Sequence, residues 1–180
     1  MSKLKIRYFV LPLLLVLGIY AAHVLNYVGA FKPVIISEKK TGPFLMIYKD
    51  HTGPYHKIVP IIEEVEQWAK SHGLDCPLSF GEYLDNPDTT EEGRLRSRGG
   101  CLVSEIPSNL PEGFKSQIIP EKSYVTALFE GSPGIGPLKV YPRVFDYFEE
   151  NRLARSESVL EIYEVQGPQK MVTNYYFSKK

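Results

Sequence analysis

The sequence predicts an α+β protein in which two strand-helix-strand-strand modules follow a single membrane-length apolar helix. Three observations carry that reading: one long uncharged N-terminal run, a β-to-α hydrophobic pattern that occurs twice, and tyrosines at matching places in the two copies. The chain has 180 residues, of which 43% are hydrophobic and 23% charged, which suits a folded body rather than a disordered or polytopic one.

Tyr8 to Phe31 form a run of 24 residues without Asp, Glu, Lys or Arg. Twenty helical residues cross roughly 30 Å of hydrocarbon, so the run predicts a membrane anchor over residues 1–31. A cleaved signal peptide is the alternative, with Val28-Gly29-Ala30 as the better processing site. Lys3, Lys5 and Arg7 precede the span and favour a cytoplasmic N-terminus, with the body outside the cytoplasm and periplasmic in a bacterium, although Lys32, Lys39 and Lys40 flank the other end.

The body, residues 32–180, is expected to hold modules at about 34–106 and 114–178. In the first, Phe44 to Tyr48 read as a strand. Gly53-Pro54 then leads into a helix whose Ile58, Ile61, Ile62, Val65, Trp68 and Ala69 share one face, with Gly73 as its stop. Leu78 to Leu84 and Arg98 to Ser104 follow as strands. The second copy runs Tyr124 to Phe129, Gly136-Pro137, a helix with Tyr141, Val144, Phe145 and Phe148 on one face, then Val159 to Val165 and Met171 to Phe177. The Gly-Pro pairs stand 83 residues apart, and Tyr83 and Tyr163 stand 80 apart. Pro60 and Pro142 predict an irregular start to each helix.

From Lys32 onward there are 18 basic and 21 acidic side chains, a balance that argues against nucleic acid as a partner. Cys76 and Cys101 have no metal-ligand spacing, so no zinc site and no cofactor is expected; they read as two small buried hydrophobes, with one disulfide as the alternative. Asp85 reads as the residue of a turn that stops a strand. Arg94, Arg96 and Arg98 read as a solvated strand edge, with an anion site as the sharper alternative. His51 and Tyr55 flank the first Gly-Pro turn, near a groove mouth if there is one. Trp68 reads as core.

DHTGPY (Asp50 to Tyr55), GEYLDNP (Gly81 to Pro87), GGCLVSE (Gly99 to Glu105) and LEIYE (Leu160 to Glu164) together resemble the gyrase-inhibitor-like (GyrI-like) small-molecule-binding domain, which is similar to the effector-binding domains of bacterial multidrug-responsive regulators. Within it, the chain looks most like a membrane-anchored branch that includes the testis-expressed ER-phagy receptor. That receptor's acidic C-terminal tail and autophagy motif have no counterpart here, so its adaptor role is not carried over. The resemblance implies two SHS2-like β-α-β-β modules about a pseudo-twofold, with a groove for a hydrophobic or cationic aromatic ligand. It also implies two other possibilities, a hydrolase of strained cyclopropane compounds and a protein-interaction module.

Within LEIYE, Leu160 and Ile162 face one way while Glu161 and Tyr163 face the other. If the aliphatic pair packs on the helices, Glu161 and Tyr163 line the opposite, ligand side. Tyr48 and Tyr83 would join them from neighbouring strands, giving a carboxylate and ring faces for a cation. In the family, the resemblance gives Glu161 the place of the ligand-binding glutamate.

Overall fold

A computed structural model of the chain describes residues 2–166 and 171–180, with side chains from residue 8 on, so those of Lys3, Lys5 and Arg7 lie outside it. Helix α1 covers Ser2–Tyr27, and its side chains from Tyr8 to Tyr27 are exposed. Its segment Tyr8–Tyr27 is long and apolar enough to cross a membrane.

The body is α+β. It comprises β1 (Val34–Thr41), β2 (Phe44–Thr52), α2 (Val59–Ser71), β3 (Leu78–Tyr83), β4 (Arg96–Leu102), β5 (Lys115–Ile119), β6 (Lys122–Glu130), α3 (Gly136–Glu150), β7 (Arg155–Val165) and β8 (Met171–Lys179). The eight strands form one antiparallel sheet in the order β1-β6-β8-β7-β3-β4-β2-β5. Read from either end, the order exchanges β1 with β5, β2 with β6, β3 with β7 and β4 with β8. Two β-α-β-β units are therefore related by a pseudo-twofold between the central strands β3 and β7, where Gly81 stands opposite Glu161.

Strands β1 and β5 escape the sequence pattern because edge strands are paired on one side only, and VIISEKKT and KSQII carry charge and little alternation. Each is exchanged between halves: β1 pairs with β6, and β5 with β2. Only Gly42 and Pro43 separate β1 at one end of the sheet from β2 near the other, so the sheet must curl until its ends meet. A Cβ at Gly42, whose φ is +117°, would lie 2.9 Å from the Glu121 Cα in the matching β5–β6 linker.

Residues paired across strands share a face, which places Gly99, Gly81, Glu161 and Tyr175 on one side. Both helices pack there. Val65 and Ala69 of α2 pack with Ile47, Cys101 and Val103; Val140, Val144 and Phe148 of α3 pack with Val125, Phe129, Val159 and Phe177. On the inner face of the curl, Met46, Tyr48, Phe80, Leu160 and Ile162 bury one another. Each such aliphatic or aromatic side chain contributes about 1.5–3 kcal/mol by leaving water.

Helix α2 begins irregularly, as expected, through a 3-10 turn at Tyr55–Ile58, and it ends beside Gly73 with φ +70°. Helix α3 instead runs unbroken through Pro142. The hydrogen bond lost there belongs to the Leu138 carbonyl, on an exposed first turn open to solvent. The Gly-Pro pairs are also not structural equivalents. Gly53 matches Gly131, since their backbone N–H groups donate to Leu95 and Met171, the residues just before β4 and at the start of β8. Cys76 and Cys101 are bonded, with Cα atoms 5.6 Å apart, which replaces the unpaired reading. The loop descending from α2 passes over the helix face of β4, where Cys101 points.

Candidate functional site

At the centre of the sheet, on its helix face and between α2 and α3, sits Glu161, only 2% exposed. The Tyr141 hydroxyl, on α3, donates to its Oε1 at 2.8 Å, and the Tyr163 hydroxyl donates to Oε2 at 3.1 Å. Tyr83 and Tyr163, equivalent in the two halves, meet hydroxyl to hydroxyl at 3.0 Å across the pseudo-twofold. The missing side chain at Gly81 makes room for them: a Cβ there would stand 3.0 Å from the Tyr83 hydroxyl and 3.1 Å from that of Tyr163. Tyr175, directly opposite Glu161 on β8, completes the ring.

The duplicated scaffold is asymmetric here. Where the second half has Glu161 and Tyr175, the first has Gly81 and Gly99, and Ile58 and Ile62 of α2 close over Gly99. The second half thus supplies the polar groups, while the first supplies space and Tyr83.

Among the described residues no basic side chain pairs with Glu161, whose oxygens meet tyrosine hydroxyls instead. Burial therefore pushes its carboxyl up to about 7, against a smaller downward pull from Tyr141 and Tyr163. The tyrosines shift in the same sense: Tyr141 and Tyr163 rise well above the ordinary phenol range through burial and the adjoining carboxylate. Near neutrality the Glu161 carboxyl therefore stands between its protonated and ionised forms, while the phenols keep their protons.

Three of the four expected residues, Glu161, Tyr163 and Tyr83, come together. Tyr48 does not. It lies on the inner face with Leu160 and Ile162, under the Arg98 guanidinium at 5.2 Å. The premise about faces is reversed, because Leu160 and Ile162 pack away from the helices and Glu161 points toward them. Tyr141 and Tyr175 were missed. Tyr141 lies on α3's apolar stripe and Tyr175 alternates regularly along a strand, so both read as core, and only the register puts them against Glu161.

Tyr55 supports the cluster from outside, its ring edge-on to Tyr83 at 4.8 Å and its hydroxyl donating to the Asp85 carbonyl at 2.7 Å. His51 is a strand residue 3.0 Å from the Ser97 hydroxyl, its pKa lowered by burial and by Lys57. Asp85 is not the turn residue: Asn86 takes that role by accepting from the Asp88 N–H, while Asp85 binds the backbone and guanidinium of Arg96. These bonds hold the Asp85 carboxyl below its usual range. The arginines do not mark an edge, since β4 lies inside the sheet, although Arg94 and Arg96 are exposed as expected. Arg98 meets Glu82 at 3.0 Å, and Arg94 belongs to a turn outside β4.

Residues 36–178 match the GyrI-like small molecule binding domain. The chain belongs to this GyrI-like family. The DNA complex of EcmrR is similar to it at TM-score 0.67 and 18% identity, over 99% of this chain and 69% of that one. The EcmrR C-terminal domain is similar at 0.62 and 18%, over 82% and 97%. SAV2435 bound to tetraphenylphosphonium is similar at 0.51 and 12%, over 81% and 94%. At these identities the likeness is one of fold. No curated protein shows significant sequence similarity to the chain. The GyrI-like domain here thus shares the fold of the EcmrR C-terminal domain.

Proposed function

We propose that the chain is a membrane-tethered binding module in which residues 1–31 form the anchor and residues 32–180 take up a hydrophobic, cationic aromatic ligand between the two β-α-β-β units. The observation that carries this is Glu161: a fully buried carboxyl with no basic partner among the described residues, held by tyrosine hydroxyls. A hydrophobic cation supplies the missing charge, and Tyr83, Tyr141 and Tyr163 offer ring faces to it. The tetraphenylphosphonium bound by SAV2435, of like fold, supports the ligand class.

The tether rests on the length and apolarity of Tyr8–Tyr27, which also underlies the likeness to a membrane-anchored branch. The Cys76–Cys101 bond supports a body outside the cytoplasm, where disulfides persist.

The test is titration of the full chain in lipid nanodiscs with tetraphenylphosphonium and with neutral triphenylphosphine oxide. Glu161→Gln is expected to weaken the cation by roughly 5- to 100-fold, the scale of a charged hydrogen bond, and to leave the neutral probe nearly unaffected. Equal losses for both probes would sink the cation site.

A second reading, hydrolysis of a strained cyclopropane compound, is favoured by the Glu161 pKa near 7, which suits a general base. Turnover of such a substrate that disappears in Glu161→Gln distinguishes it from simple binding.

A further inference from the structure

The chain leaving α1 is fastened to the body. Gly29 has φ +84°, and a Cβ there would meet the Glu130 carbonyl oxygen at 2.8 Å and the Gly131 Cα at 2.9 Å, so this turn presses on the β6–α3 connection. The Ser132 N–H donates to the Val28 carbonyl at 3.0 Å. From α3, the Lys139 ammonium donates to the carbonyls of Gly29 at 3.1 Å, Ala30 at 2.7 Å and Lys32. The first turn of α3 is thereby held beside the end of the apolar helix.

Apolar side chains stand in solvent at this junction. Tyr27 is 58% exposed, Phe31 69% and Leu138 77%, the last being the most exposed large hydrophobic outside α1 among the described residues. Pro142, one turn after Leu138, is exposed as well. Farther along α3 the exposed positions are Asp146, Glu149 and Glu150. The helix surface is thus apolar at the end next to α1 and acidic at the other, and the exposed Arg143 lies near the boundary, as suits a lipid interface carrying phosphates.

We propose that Phe31 and the first turn of α3 form a membrane-contacting surface continuous with α1, so that the GyrI-like domain rests against the bilayer. The proposal builds on the reading of α1 as a span and gives the ligand its source. Tyr141 lies three residues beyond Leu138 on α3, beside it on the helix surface, and its hydroxyl holds Glu161. The α3 wall of the site therefore borders the headgroup layer, where hydrophobic cations concentrate, and the ligand enters from the membrane.

Both native cysteines are bonded to each other, so single cysteines can be labelled in the full chain. An environment-sensitive nitrobenzoxadiazole label is placed at Val16→Cys in α1, Leu138→Cys in α3 and Val59→Cys on α2, where Val59 is 53% exposed. In nanodiscs of brominated phosphatidylcholine, the labels at 16 and 138 are expected to lose at least half their emission relative to ordinary lipid, while the label at 59 keeps it. Quenching at 16 with none at 138 overturns the surface but leaves the anchor standing. An unquenched label at 16 removes the anchor and the surface together. Dilution-sensitive energy transfer between labels at 138, without lipid quenching, assigns the patch to a second copy of the chain and equally overturns the proposal.

Discussion

Glu161 ties the stability of the domain to pH. Its carboxyl titrates near 7 when folded against an ordinary 4.5, so between those values the folded state holds a proton that the unfolded state releases. Stability from this group is full below about pH 4.5, falls as pH rises, and levels off above about 7, a difference of about 3 kcal/mol. Urea unfolding at pH 5 and pH 8 should show this loss in the natural chain and much less of it in Glu161→Gln. Equal losses in both would assign the slope to other groups. The same titration bears on binding: a cation prefers the ionised carboxylate, so tetraphenylphosphonium affinity should climb as pH rises toward 8 and stay flat in the Gln variant. At Gly136 the constraint is steric, because a Cβ there would come 2.1 Å from the Tyr175 hydroxyl. Gly136→Ala is expected to cost about 1–3 kcal/mol, the usual range for overpacking. Adding Tyr175→Phe removes the colliding oxygen and leaves the ring Cζ at 3.3 Å, so thermal unfolding of the double variant should recover part of the loss.

At the scale of elements, α2 and β4 are joined by packing and by one covalent bond. The Cys76–Cys101 bridge closes a separation of 25 residues, and reducing it should cost about 3 kcal/mol of stability, read as a lower Tm in dithiothreitol. Trp68 lies on the expected stripe but is half-buried, with His72 at 4.7 Å and Phe114 at 5.0 Å. Trp68→Ala should therefore cost about 1–2 kcal/mol, below the 3–5 kcal/mol of a fully buried aromatic. Six strands and three helices were legible because hydrophobic period is a direct imprint of burial. Strands β1 and β5 were not, since charge on an edge strand hides its period. Alternation in LEIYE separated Leu160 and Ile162 from Glu161 and Tyr163, but period alone does not say which face meets the helices. That information lies in Gly81 and Gly99, whose bare backbone lets tyrosine hydroxyls and α2 approach.

For the whole molecule, the body is expected outside the cytoplasm. A reporter active only in the cytoplasm, fused after Lys180 in a bacterial host, should stay silent, and strong activity would reverse the orientation. The exchange of β1 and β5 between halves has a consequence for how the chain is made. A nascent chain that has completed β1 cannot pair it until Phe129, the partner of Val34, has been synthesised, roughly 5–20 s later at ordinary elongation rates. During that interval the strand is an unsatisfied template, shielded from wrong partners chiefly by Glu38, Lys39 and Lys40 along its length. Neither repeat can therefore finish on its own as it emerges. The architecture is that of a strand-exchanged dimer written as one polypeptide, whose closure is deferred until the second repeat arrives.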